Sequence, residues 1–231
     1  VKSDLLARLN AARAARRAAI RVTDLVTGSD ALVLYGDEAD HPLADALTAA
    51  FRSGRSGLIE SGTDRAFLTV YLPPPRIVAI GAVHITQALA PMARLAGFDI
   101  VVIDPRTAFA TPERFAGVDL RPVWPVDVIP STLAFDPHTA LVAVTHDPKI
   151  DDYPLAEALR SGAFYVGALG SRKTHAKRVE RLTAVGLDPD LITRIHAPIG
   201  LDIGAASPAE IAVSVLAEII TALRGPKRKA A

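Results

Sequence analysis

The sequence predicts an α/β protein dominated by a Rossmann-like, doubly wound parallel sheet, with a smaller α/β region ahead of it. Three observations carry this expectation. Beyond Pro75 short apolar runs alternate with amphipathic helical stretches, as βαβ units with a sheet buried on both faces do. Glycines stand just past several of those helical stretches, where a left-handed residue ends a helix. Pro73, Pro74 and Pro75 in succession neither continue a helix nor donate to a ladder, so they mark a boundary. The expected organisation is a small N-terminal α/β region over 1–72, a Rossmann-like domain over 76–224 and a basic tail over 225–231 with Lys227, Arg228 and Lys229.

In chain order, Leu6 to Ile20 reads as a solvated amphipathic helix, with Leu5, Leu9, Ala12 and Ala19 or Ile20 as its packing stripe. A strand at Ala31–Tyr35, a helix over Leu43–Phe51 and strands near Gly57–Glu60 and Ala66–Leu72 complete the first region. Past the prolines, Ile77–Ile80 is a strand leading through Gly81 into a helix with Ile85, Ala88, Leu89, Met92 and Leu95 on one face, closed by Gly97. Ile100–Ile103 is the next strand, ending at Asp104. Strands at Ala140–Thr145 and Phe164–Ala168 precede helices over Leu155–Ser161, closed by Gly162, and Ser171–Val185, closed by Gly186. Ser207, Pro208 and Glu210 announce the last helix with an N-cap, a proline at its first position and a capping-box glutamate.

Composition limits function. With 26 basic and 25 acidic residues and half the chain hydrophobic, neither disorder nor broad attraction to nucleic acid is expected. No run approaches the roughly 18 apolar residues that span a bilayer, and no secretory core follows the first residue, so no membrane association and a cytoplasmic location are expected. The sequence contains no cysteine, which removes disulfides, thiolate metal sites and thiol nucleophiles.

In an open parallel sheet, ligands bind beyond the carboxyl ends of the strands, near the reversal of strand order. That rule selects Gly81 and His84 after the first strand, Asp104 and Arg106 after the second, and Thr145, His146 and Asp147 farther on. It also selects Gly170, Ser171, Arg172 and Lys173, with His196 and Asp202 in a later loop. The first turn carries only one glycine of the dinucleotide fingerprint, and a branched Val83 stands where bare backbone should meet pyrophosphate. Asp104 and Arg106 suit ribose hydroxyls and a phosphate, or else cap a turn. Gly167 to Thr174 misses the phosphate loop of nucleotide triphosphatases because Arg172 replaces its second glycine. A glycine turn, a hydroxyl and two cations at a helix start still make an anion cradle, unless Ser171 is an ordinary cap. His146 suits proton transfer or a hydrogen bond to a heterocycle, while Asp147–Pro148 equally shapes a turn. The spacing of His84, His146, His175 and His196 matches no compact metal motif.

The segments GAVHITQALAPMARLAGFDIVVIDPRTAFATPERF, THDPKIDD, YVGALGSRKTHAKRVERL and RIHAPIGLDIGAASPAEIAVSVLAEII resemble the C-terminal domain of XdhC/CoxI proteins, the xanthine dehydrogenase accessory family. The resemblance spans Arg76 to about Leu223. It implies a chaperone that binds molybdenum cofactor (molybdopterin), protects its sulfurated form and helps insert it into a molybdenum hydroxylase such as xanthine dehydrogenase or carbon monoxide dehydrogenase. Implied partners are that client, a cysteine desulfurase and a second copy of the chain in a homodimer. Longer members carry an N-terminal GGC-type cysteine motif; this sequence has none and resembles a short form. An NAD(P)-binding oxidoreductase is the alternative.

Overall fold

The computed structural model describes residues 3–61 and 64–225; the lysine and arginine residues of the expected basic tail lie outside them. The chain divides into two compact units between Pro73 and Pro74. In the first, α1 (Ser3–Ala14) precedes β1 (Ala19–Asp24), β2 (Asp30–Leu34), α2 (Ala44–Ser53), β3 (Gly57–Ser61) and β4 (Asp64–Tyr71). The strands form an antiparallel sheet in the order β2-β1-β4-β3. Alternation along β1 serves both faces: Ala19 packs with Leu5, Leu9 and Ala12 of α1, whereas Ile20 and Val22 pack with Leu47, Ala50 and Phe51 of α2.

The helix expected to run to Ile20 therefore stops at Ala14. Arg16 adopts a positive φ of 52°, which no helix interior accommodates. Ala19 and Ile20 face opposite sides at a period of two, and pairing of β1 with both β2 and β4 overrides the helix propensity of the alanines before it.

The second unit runs β5 (Arg76–Ile80), α3 (His84–Leu95), β6 (Asp99–Ile103), β7 (Asp119–Arg121), α4 (Pro125–Val128), β8 (Thr139–Ala143) and α5 (Pro148–Arg160). It continues with β9 (Tyr165–Ala168), α6 (Arg172–Ala184), α7 (Pro189–Ile192), β10 (Ile195–His196) and α8 (Pro208–Arg224). Its six strands are all parallel, in the order β7-β6-β5-β8-β9-β10. This is the doubly wound dinucleotide-binding order, reversing between β5 and β8.

Every residue of β5 and of β8 is buried, because helices cover both faces. Ile77 and Ala79 share a cluster with Leu89 of α3 and with Val215 and Ile219 of α8. Val78 and Ile80 point the other way, to Leu155 and Leu159 of α5 and Leu182 of α6. Each of these valines, leucines and isoleucines stabilises the sheet by about 1.5–3 kcal/mol through burial. The layers fix the six carboxyl ends along one edge, and the polar turns hang from it. The helix expected from Leu155 begins earlier, at Pro148, because Asp147 caps it through the Lys149 amide. Among the described residues, no helix is long and apolar enough to cross a membrane.

Candidate functional site

The turn after β5 sits at the reversal point. Gly81 takes a φ of +120°, and a Cβ there would lie 3.0 Å from Thr145 Cγ2 and 3.3 Å from the Thr145 amide nitrogen. Only glycine lets the β5 and β8 turns approach this closely. The following α3 starts at Val83 without a side-chain cap, so among the described residues its first amides face the rim unsatisfied by side chains. His84 is exposed on that first turn.

Asp104, at the end of β6, is fully buried. Its Oδ2 accepts the Ala82 amide at 2.7 Å and Arg106 Nη2 at 2.8 Å, while Oδ1 accepts the Arg106 amide and Nε, each at 2.9 Å. Burial alone would push this carboxyl up. The hydrogen bonds from Arg106 and from the Ala82 and Arg106 amides outweigh it and hold Asp104 below the usual carboxylate range. Its lone pairs are spent on the fold, so Asp104 locks the β5 turn to Arg106 and does not present a free carboxylate for ribose. Arg106 keeps its remaining donors, lies 4.7 Å over the Phe109 ring and is 32% exposed. Its guanidinium is held charged by hydrogen bonding to Asp104, against desolvation, with added attraction from Asp151 and Asp147. Arg106 thus belongs to the same electrostatic neighbourhood as the β8 turn.

In that turn His146 adopts a left-handed φ of 64° and is exposed. Thr145 Oγ1 donates to Asp151 Oδ1 at 2.7 Å and accepts the Asp147 amide at 3.0 Å, and the His146 amide donates to Asp151 Oδ2 at 3.1 Å. Desolvation pushes the Asp151 carboxyl up to about 6, against the Thr145 hydroxyl, the charge of Arg178 and the turn amides. Asp147 is a helix cap.

The turn after β9 has Gly170 at φ +134°, with Ser171 capping the Thr174 amide at 3.2 Å. Arg172 and Lys173 are exposed on the first turn of α6. Beneath them Arg178, only 2% exposed, donates from Nη2 to the Leu169 carbonyl at 2.9 Å. Its Nε and Nη1, like His175 Nδ1, have no hydrogen-bond partner among the described residues. Burial lowers the pKa of Arg178, partly countered by Asp151 and Asp152.

At the end of β10, His196 Nδ1 lies 2.9 Å from Glu218 Oε1. Asp202 is exposed in the loop that follows. The structure therefore joins Gly81, Asp104, Arg106, Thr145 and Asp147 at the reversal point, with Gly170 to Lys173 at the next strand end. A cleft of about 310 Å³ runs along α3, bordered by Gln87, Pro91, Arg94, Arg114 and Phe115. Arg114 there ties the loop before β7 to the Ala82 carbonyl at 3.0 Å. Among the described residues, no group of three or more metal-binding side chains comes together.

Residues 77–219 match the XdhC Rossmann domain. The chain belongs to the XdhC family. Within it, the chain is 36% identical over 159 residues to a protein of Bacillus subtilis named as a probable subunit of xanthine dehydrogenase, a match covering 68% of this chain and 46% of that one. It is 28% identical over 178 residues to the molybdenum cofactor insertion chaperone PaoD of Escherichia coli, with 77% and 48% covered. A crystal structure described as a xanthine dehydrogenase from Bacillus halodurans superposes with a TM-score of 0.64 at 26% identity, covering 98% of this chain and 66% of that one. The chain spans less than half the length of the curated relatives it matches.

In this XdhC domain, sequence reasoning overlooked Asp151, Arg178, Tyr165 and Glu218. Glu218 left a trace, as a single acid amid the apolar run from Ile211 to Ile220. Asp151 and Arg178 are ordinary helix-surface types in the sequence, and only burial distinguishes them.

Proposed function

We propose that this XdhC domain is a maturation factor that binds molybdenum cofactor at the carboxyl edge of its parallel sheet and delivers it to a molybdenum hydroxylase. The carrying observation is the uncapped start of α3 beside Arg106, whose orientation is fixed by the buried Asp104. Free amides at a helix start and a pre-oriented guanidinium are the groups that hold a phosphate monoester. Gly170, Ser171, Arg172 and Lys173 add a second cationic helix start on the same edge. The exposed His146 and His84 and the half-buried Asp147 offer hydrogen-bonding groups to a polar heterocycle, and the exposed Asp202 completes the set. When bound, the cofactor supplies the oxo-transfer chemistry of the client; this chain's residues grip its organic part. The names of two relatives, one for a part of xanthine dehydrogenase and one for a cofactor insertion chaperone, support the reading. A cysteine desulfurase and a second copy of the chain are the further partners it implies.

A delivery protein needs moderate affinity and a release step, not complementarity to a transition state. Hydroxylases purified from cells lacking this protein should be folded but poor in molybdenum and pterin, with activity lost in proportion. Full cofactor content in those hydroxylases overturns the proposal. The strand order favours one competing reading, NAD(P) binding, but the buried Asp104 and the branched Val83 count against it. Thermal shifts with pterin phosphates and with NAD(P) separate the two readings, because a ligand selective for the native state raises Tm.

A further inference from the structure

At the β10 end of the edge lies a side-chain network that the phosphate-binding groups do not use. Glu218 of α8 accepts three hydrogen bonds. Tyr165 Oη donates to its Oε2 at 2.6 Å and the Gly200 amide does so at 2.8 Å, leaving Oε1 to His196 Nδ1 at 2.9 Å. The packing around them is tight: a Cβ on Gly167 would stand 2.6 Å from Tyr165 Oη and 2.7 Å from Ile199. The Tyr165 and His196 rings lie 4.7 Å apart at 33°, so the imidazole is fixed against the phenol face as well as at Nδ1.

This arrangement decides which ring nitrogen carries the proton. Two donors already fill Oε2, and a carboxylate so engaged stays ionised. Burial alone would raise Glu218, but the bonds from His196, Tyr165 and Gly200 bring it below the usual carboxylate range. Burial, reinforced by Glu218, pushes the Tyr165 phenol far up, so it remains a neutral donor. An ionised acceptor at Oε1 requires a donor at Nδ1. Neutral His196 therefore carries its lone pair on Nε2, and its side chain is 38% exposed. A carboxylate bonded to Nδ1–H fixes the tautomer and the ring orientation and pushes electron density toward Nε2.

We propose that His196 is a fixed proton acceptor on the ligand edge, taking an N–H or O–H of a bound heterocycle at Nε2, with Glu218 and Tyr165 as positioning residues. The heterocyclic ligand rests on the function proposed above; the activated imidazole does not. A ring N–H of a pterin or a nucleobase has the required chemistry.

Diethyl pyrocarbonate, which acylates unprotonated imidazole, tests the base. Peptide mass mapping of the full chain should show His196 modified several-fold faster than His84 and His146, which are exposed but lack a carboxylate partner among the described residues. Glu218→Gln should remove most of that advantage. Tyr165→Phe keeps the ring against His196 but removes one donor from Glu218, so it should lower the advantage less than Glu218→Gln does; melting curves identify any variant that fails to fold. Nitrogen-15 spectra of the unmodified chain read the tautomer directly: a protonated Nδ1 and a bare Nε2 are expected. A proton on Nε2, or acylation no faster than at His84, overturns the proposal. Neopterin monophosphate should protect His196 and shift its Nε2 resonance, and His196→Ala should weaken its binding about tenfold. Binding that neither protects nor shifts His196 overturns its place in the site. If the probe fails to bind at all, the cofactor reading falls, whereas acylation and tautomer still decide the imidazole.

Discussion

Asp151 is 2% exposed and its carboxyl is pushed by burial from the ordinary 3.8 up to about 6. Because the folded value is the higher one, the folded chain holds a proton between these pH values that the unfolded chain has lost. The contribution of this group is full below about pH 4 and is lost as the pH rises through about 6. Asp151→Asn cannot titrate. The stability difference between variant and parent should therefore move in favour of the variant between pH 4 and 7, by up to about 3 kcal/mol. Urea denaturation across that range measures it, and a difference independent of pH contradicts the account. Gly81 is constrained differently, by its φ of +120° and by Thr145 Cγ2 at 3.0 Å from any Cβ. Gly81→Ala should destabilise the chain by about 1–3 kcal/mol and lower Tm correspondingly.

The helix starts of the second unit divide into capped and open ones. Asp147, Ser171 and Ser207 cap α5, α6 and α8 through their side chains, and Ser207 forms a full capping box with Glu210. Val83 caps nothing at α3. Val83→Asp should satisfy one of those amides and stabilise the helix by about 1 kcal/mol. It should also weaken the binding of neopterin monophosphate, because the new carboxylate occupies the amides and repels the phosphate. Higher Tm with unchanged affinity would move the phosphate away from α3. The contrast between helix ends also explains what the sequence made legible. Ser207, Pro208 and Glu210 announce α8 in local chemistry, and apolar runs announce β5, α3 and α6, each closed by a glycine, and β6, closed by Asp104. β1 hides behind an alanine-rich stretch because its strand character comes from pairing on both sides. β7 and β10 have three and two residues, too few for any period. Asp104 stood out by its position, but its burial and its hold on Arg106 depend on how β5 and β6 lie together. Asp151, Arg178 and Glu218 acquire their properties from desolvation, which no local pattern records.

At the scale of the whole molecule, each unit has hydrophobic clusters built from its own residues: those of the second contain Ile77 to Ile219, and those of the first contain Leu5 to Leu68. The stretch matching the XdhC Rossmann domain, 77–219, lies wholly within the second unit, and so does every proposed ligand contact. A domain with a complete core and its termini at a unit boundary folds alone. A fragment of residues 74–225 should therefore unfold cooperatively in urea. The chain has a single tryptophan, Trp124 just before α4, so fluorescence reports on this unit in fragment and full chain alike. The two Trp124 transitions should agree to within about 0.5 kcal/mol, the tolerance for independent contributions. Neopterin monophosphate should raise both midpoints equally, since stabilisation depends only on affinity for the native state. A fragment that folds with an unchanged transition but loses the ligand shift would assign part of the ligand site to residues before Pro74. A fragment with no cooperative transition would show that the parallel sheet depends on the first unit for its stability.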